Sequence, residues 1–252
     1  MNATRIAVAG ATGRVGRHIV DVARERGHEV VPMARSLGVD VITGEGLDAA
    51  LAGADCIIDA ATGPSPDQDD ATTFFTTAAG NLQAAGRRAG VRRMVVVSII
   101  GADAFSEGYG AATYAHEQAA LAGPIPTRVV RAAQFHEFVP QLMEWGTQGE
   151  TAYVQDMWTQ AVAARTVAEA LVDAATDEAP DRPALTEVAG PREESLVDLA
   201  LRYAAHHHSG LKVVPVPTPE GPDRKVYEEG GLLPGPDATL AGPTFEEWLV
   251  TT

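Results

Sequence analysis

The chain has 252 residues, 45% of them hydrophobic, and a formal charge of −15 from 34 acidic and 19 basic residues. Its acids are spread out and its Lys and Arg are not clustered, which argues against a nucleic-acid-binding surface. No apolar run approaches the roughly 18 residues of a membrane span, and a single cysteine, Cys56, excludes an internal disulfide and fits a reducing compartment.

The start, "MNATRIAVAG", has no basic segment followed by an apolar one, so the expected location is cytoplasmic. "RIAVAG" (5–10) is a short β-type run, followed by Gly-rich "ATGRVG". "RHIVDVARERG" (17–27) places Ile19, Val22 and Ala23 at helical spacing and stops at Gly27. "HEVVPMA" is a second strand, "VDVIT" (39–43) a third, and "LDAALAG" a short helix. "DCIIDAAT" (55–62) is a fourth strand, and the Ala-rich stretch 70–90 a long helix closed by Gly90. "RRMVVVSI" (92–99) is a fifth strand, apolar on both faces as inside a parallel sheet. "AATYAHEQAALAG" is a helix and "PTRVVRA" (126–132) a sixth strand. This alternation predicts an α/β fold of Rossmann type, a doubly wound parallel sheet with right-handed crossovers.

After residue 133 the rhythm loosens. "QFHEFVPQLMEWG", "ARTVAEALVDAAT" and "ESLVDLALRYAAHHH" read as helices, and "TAYVQ", "LTEVAG" and "LKVVPVP" as strands. We read 1–133 as a dinucleotide-binding core. Residues 134–252 supply the last sheet elements and a small C-terminal substrate lobe, integrated with the core as a single domain.

The strongest chemical signal is "AVAGATGRVG", in which Gly10, Gly13 and Gly16 lie between the first strand and the first helix. A tight turn there needs residues without Cβ, and the helix start offers unpaired N–H groups and a positive dipole end to a pyrophosphate. The bland alternative is a set of turn glycines that merely pack helix on strand. The position at the first βα junction favours dinucleotide binding. At the end of the second strand an acid would bind a free ribose 2′-hydroxyl. "VVPMARS" has Arg35 and Ser36 instead, which suit a 2′-phosphate and so NADP over NAD, NADPH over NADH.

The stretches "VAGATGRVGRHIV", "VPMARS", "LAGADCIIDAAT", "AGVRRMVVVSI" and "VVRAAQFHEF", with the closing "TFEEWL", make the chain resemble the atypical short-chain dehydrogenase/reductase group, in its NmrA-like NAD(P)H-binding branch. The resemblance covers nearly the whole length. It implies phosphate contacts from Thr12, Gly13, Arg14 and Val15, and 2′-phosphate contacts from Arg35 and Ser36. It places Asp40 by the adenine, and Ala60, Ala61 and Thr62 under the ribose. Ala133, Gln134 and Phe135 would face the nicotinamide, with Phe135 also toward substrate. Ser98 would supply a catalytic or substrate-binding hydroxyl.

Relatives carry a Tyr-x-x-x-Lys pair. With "AHEQAAL" (115–121) in register, Tyr109 falls on the tyrosine and Thr113 on the lysine. The two share a helix face. The lysine holds the nicotinamide ribose and favours the phenolate, and threonine does none of the second. With a pKa near 10, about one part in a thousand of Tyr109 is phenolate at pH 7. A neutral tyrosine donates a proton, so the reductive direction is favoured. His116, Arg131 and His136 are candidate substitute cations, and His136 in "QFHEF" is also a candidate substrate contact. A packed or solvated histidine is the plainer reading of His136, as strand-end and pocket-mouth roles are of Ser98 and Tyr109.

"HHH" (206–208) does not suggest a metal site, because neighbouring helical residues point about 100° apart. Three functions stay open: an NADPH-dependent reductase of a small apolar carbonyl or activated alkene; a redox-neutral isomerase, dehydratase or cyclase; and a non-catalytic NADP(H) sensor. The expected partner is a small-molecule substrate, with no nucleic acid and no membrane. The sequence leaves the oligomeric state open.

Overall fold

The computed structural model describes residues 3–179 and 183–251. In chain order its elements are β1 (Arg5–Ala9), α1 (Gly16–Glu25), β2 (Glu29–Met33), α2 (Leu47–Leu51), β3 (Cys56–Asp59), α3 (Gln68–Ala89), β4 (Arg93–Ile99), α4 (Gly108–Leu121) and β5 (Thr127–Ala132). They continue as α5 (Phe138–Gly146), β6 (Thr147–Gln148), β7 (Thr151–Gln155), β8 (Trp158–Thr159), α6 (Ala164–Thr176) and β9 (Leu185–Ala189). The last are β10 (Glu194–Ser195), α7 (Leu196–His206), β11 (Lys212–Val216), α8 (Arg224–Glu228), β12 (Thr239–Leu240) and α9 (Phe245–Leu249).

The main sheet has seven strands in the order β12-β9-β5-β4-β3-β1-β2, and every pairing in it is parallel. Strand alternation sends neighbouring side chains to opposite faces. Ile6, Val8 and Val95 join Ile19 of α1 and Leu171 of α6 on one face. Ala7, Met94 and Val96 join Leu82 of α3, Ala120 of α4 and Leu51 of α2 on the other. Both faces are covered, which is why these strands read as continuous apolar runs. The strand order reverses at β1, with β2 on one side and β3 on the other, and that opens a ligand crevice beyond the carboxyl ends.

The expected strand at 39–43 does not form, and β2 is the edge of the sheet. The segment folds into turns instead. Gly38, Gly44 and Gly46 all take positive φ. The Asp40 carboxylate accepts from the amides of Ile42 at 2.7 Å and Thr43 at 3.3 Å, a side-chain turn that competes with pairing. Asn81 of α3 donates to the carbonyls of Val41 and Ile42 and pins the turn.

The long helix α3 starts two residues earlier than expected, because Asp67 caps it by accepting from the Asp69 and Asp70 amides. The sheet receives β9 and β12 from the part after residue 133, and α6 packs on it. The rest of that part builds a separate apolar cluster from α5, α7 and α9, with Val139, Leu199, Phe245 and Trp248. Two short sheets, β10-β8 and β11-β7-β6, lie with it.

Leu171 is fully buried at the α6–sheet contact. Leu171→Ala is expected to lower the unfolding free energy by about 2–5 kcal/mol, through lost burial and a residual cavity. Urea denaturation measures this, and a loss well under that range would contradict the packing described.

Candidate active site at the carboxyl ends of the strands

The turn from β1 to α1 is a close approach of three backbones. Gly10 has φ +72°, and a Cβ on it would lie 2.5 Å from the Ala60 carbonyl oxygen after β3. A Cβ on Gly16 would lie 2.0 Å from the Gly10 carbonyl oxygen. Neither position admits a side chain. Gly13 donates its amide to the Gly10 carbonyl at 2.8 Å and closes the turn. The Ala11 amide donates to Met33, which ties the turn to the end of β2.

The amides of Thr12, Arg14 and Val15 have no acceptor among the described residues. They precede α1, whose first turn holds no acid. Unpaired N–H groups at a helix start with glycine access form an anion cradle. Arg14 and Arg35 are exposed and have no ion-pair partner among the described residues. Ser36, also exposed, follows in a single 3-10 turn (Arg35–Leu37). The cradle fits a pyrophosphate, and the free guanidinium after β2 adds a second point of anion contact.

Ala60 and Ala61 follow β3 beneath this turn, and Thr62 after them is exposed. Asp40 is engaged in its own turn, yet that turn brings Ile42 to the rim of a cleft of about 350 Å³. Gly63, Ser65, Thr73 and Phe74 line the rest of that wall. The cleft therefore lies between the turn after β2, the end of β3 and the start of α3.

Tyr109 stands at the start of α4 and is 38% exposed. Its ring meets Phe75 of α3 edge-on, with centroids 5.8 Å apart. Burial pushes the phenol pKa above its ordinary value, so Tyr109 is neutral at physiological pH. Thr113 shares its face, but the Thr113 hydroxyl donates back to the Tyr109 carbonyl at 2.8 Å. That bond occupies the one hydrogen it has.

The candidate substitute cations are held elsewhere. His116 is buried, bonds Asp59 at 3.0 Å and stacks on Phe75 with centroids 4.8 Å apart. Phe75 thus touches both His116 and Tyr109. Arg131 of β5 is bound on three sides. Its Nε and Nη2 donate to the two oxygens of Glu117 at 2.9 and 2.8 Å, and its Nη1 donates to Asp103 at 2.7 Å. The Ser98 hydroxyl of β4 donates to the same Glu117 carboxylate. Ser98, Glu117 and Arg131 are all buried, and together they fasten α4 to β4 and β5. The Ser98 proton is committed to that carboxylate.

Beyond β5, Ala133 is buried and Gln134 and Phe135 are half-buried, with Phe135 bridged to Val162. His136 has no exposed surface. Its Nε2 meets the Pro243 carbonyl at 3.2 Å and its ring lies against Phe245 and Trp248, while its Nδ1 is buried without a partner. His136 is thus enclosed in the lobe and not open to a substrate. Cys56 is a buried filler whose thiol burial pushes up to about 12. No cluster of metal-ligating side chains occurs among the described residues, and no helix among them is long and apolar enough to cross a membrane.

Sequence reasoning missed Asp59 and Glu117. Both carried a signal. Asp59 is an acid inside an otherwise apolar buried run, and Glu117 lies four residues after Thr113 on the same helix face. A fully buried carboxylate requires a partner, and that requirement points to His116 and Arg131.

The fold and cradle define a dinucleotide-binding α/β protein. Residues 10–178 match the family described as NAD(P)H-binding, and the chain belongs to that family. The photosystem II assembly factor Ycf39 of Synechocystis sp. (strain ATCC 27184 / PCC 6803 / Kazusa) is 34% identical over 110 residues, which is 38% of this chain and 34% of the length of that curated relative.

Among solved structures, MoeE5 in complex with UDP-glucose and NAD superposes with a TM-score of 0.73 at 18% identity, covering 98% of this chain and 96% of that one. The dTDP-4-dehydrorhamnose reductase of Bacillus anthracis str. Ames, in complex with NADP, gives 0.70 at 18% identity over 98% and 97%. The UDP-glucose 4-epimerase of Thermus thermophilus, in complex with NAD, gives 0.69 at 17% identity over 85% and 86%. At this identity the likeness shows the fold.

Two outcomes are expected from this packing. Gly16→Ala is expected to destabilise the chain and abolish measurable nucleotide uptake, since the new Cβ meets backbone at 2.0 Å; thermal denaturation and calorimetry test this, and unchanged uptake would contradict the cradle. His136 has its pKa lowered from 6.5, chiefly by burial. The unfolded chain then binds the proton more readily, so the His136 contribution is complete above 6.5 and is lost as the pH falls below it. His18 and His28 shift in the same direction. The measurement is therefore the unfolding free energy at pH 7.5 and 5.5 for wild type and His136→Phe, in which the variant should lose less.

Proposed function

We propose that the protein is an NADPH-dependent oxidoreductase that reduces a small apolar carbonyl or activated alkene. The carrying observation is the cradle of free amides at Thr12, Arg14 and Val15, followed after β2 by the unpaired Arg35. Arg14, Val15 and Thr12 would hold the diphosphate. Arg35 and Ser36 would hold the 2′-phosphate, and the cleft beside Ile42 and Phe74 would take the adenine. Relatives of the same fold bind NAD or NADP, so the preference rests on Arg35 and Ser36.

When bound, the nucleotide supplies hydride. The neutral phenol of Tyr109 donates a proton to the oxygen of the acceptor as its carbon gains the hydride, and solvent restores that proton because Tyr109 is partly exposed. Oxidation would need the phenolate, which burial disfavours and for which none of the three candidate cations is free. One observation favours a second reading. The Thr113 hydroxyl is turned back to its own helix, so the position of the ribose-holding lysine contributes neither charge nor a free donor. That suits a redox-neutral enzyme or a nucleotide sensor.

Calorimetry with NADPH and NADH decides the nucleotide. NADPH is expected to bind more tightly, and Arg35→Ala is expected to weaken NADPH by about ten- to a hundred-fold, the range of a lost charged hydrogen bond, with NADH unchanged. Equal affinities, or tighter NADH, would overturn the assignment. Following NADPH absorbance over a panel of carbonyl compounds then separates turnover from binding alone.

A further inference from the structure

The helix that carries Tyr109 opens without a cap of its own. Glu107 occupies the cap position of α4, and its side chain bonds no amide. Such a start leaves N–H groups that need acceptors, and here they come from distant parts of the chain. The Asp223 carboxylate accepts from the Ser106 amide at 2.9 and 3.1 Å, the Ser106 hydroxyl at 2.6 Å and the Glu107 amide at 2.9 Å. Gln68 of α3 accepts from the Gly108 amide at 2.8 Å.

Asp223 belongs to a C-terminal strap, residues 221–232, that makes further contacts with the same connection. Tyr227 meets Phe105 edge-on, with centroids 5.4 Å apart. A Cβ on Gly110, in the first turn of α4, would lie 2.4 Å from the Phe105 ring. At the other end of the connection, a Cβ on Gly101 would lie 2.1 Å from the Gly231 carbonyl oxygen. Leu232 then enters the lobe core. The strap therefore holds this segment at Gly101 by backbone contact and at Phe105 by ring packing, and Asp223 ties Ser106 and Glu107.

We propose that Asp223 is a positioning residue for Tyr109, so that the C-terminal strap sets where the phenol stands beside the strand ends. The proposal rests on the reading of Tyr109 as the proton donor. A carboxylate suits the place because it is acceptor-only, and every group facing it is a donor. Asparagine has the same shape but turns its own N–H groups toward some of those donors. Asp223→Asn therefore removes bonds without creating a cavity.

The test follows Tyr109 itself. With ring-labelled tyrosine, the Tyr109 resonance is assigned by its loss in Tyr109→Phe and titrated by NMR. In the wild type its midpoint is expected above the ordinary tyrosine value, because burial opposes the phenolate. In Asp223→Asn the midpoint is expected to fall back toward 10 as the helix start loosens and the ring is solvated. Hydrogen exchange at 106–108 should quicken by about tenfold or more, while exchange in β1, β3 and β4 stays as in the wild type. Ser106→Ala removes only the hydroxyl contact and should move the Tyr109 midpoint part of the way, and it serves if Asp223→Asn does not fold.

An unmoved Tyr109 midpoint in the folded variants, or exchange that quickens equally throughout, overturns the proposal. NADPH affinity is measured on the same samples and should not change, since the cradle lies on other elements. Absence of NADPH uptake in the wild type would defeat the functional reading and leave the Tyr109 result to judge Asp223.

Discussion

The backbone contact among Gly10, Gly16 and Ala60 is the constraint on which the site depends. It lets α1 start directly over the end of β1, with the segment after β3 pressed beneath. A methyl group at either glycine would push these backbones apart. The approach leaves the amides of Thr12, Arg14 and Val15 without protein acceptors among the described residues, and groups in that state favour an anion. In a chain of charge −15, many arginines find carboxylates. Arg14 and Arg35 do not among the described residues, and both adjoin the cradle.

The other half of the site is a helix held along its length. At its start α4 depends on side chains from α3 and from the C-terminal strap. In its second half, Glu117 is buried against Arg131 and Ser98, and His116 against Asp59. A buried ion pair such as Glu117–Arg131 contributes little net stability, but losing one partner leaves the other stranded. These contacts fasten the second half of α4 to β3, β4 and β5. The result is a neutral phenol packed on Phe75, with a threonine hydroxyl turned back on the same helix.

His136 shows how the same fold treats a polar group away from the crevice. Packed by Phe245 and Trp248, with one nitrogen unpartnered, it resists protonation and belongs to the interior of the lobe. The turn at 39–43 shows a local device overriding a strand-like composition, since Asp40 and three glycines bend a stretch that Val39, Val41 and Ile42 would otherwise extend.

Much was legible in the amino-acid order because it is local. The alternating apolar runs, the glycine turn between a strand and a helix, the closing Gly90 and the place of Tyr109 and Thr113 on one helix face all follow from spacing of a few residues. The pairing of buried polar groups is not local. Ser98, Glu117 and Arg131 come from three elements, Asp59 and His116 are 57 residues apart, and Asp223 meets Ser106 across 117. Which hydroxyl is free, which cation is spent and which carboxylate holds the residues before the tyrosine helix depend on how the sheet and lobe close together. Those questions of partnership were decided only by the tertiary structure, because desolvation makes every enclosed charge find a partner wherever the fold brings one within reach.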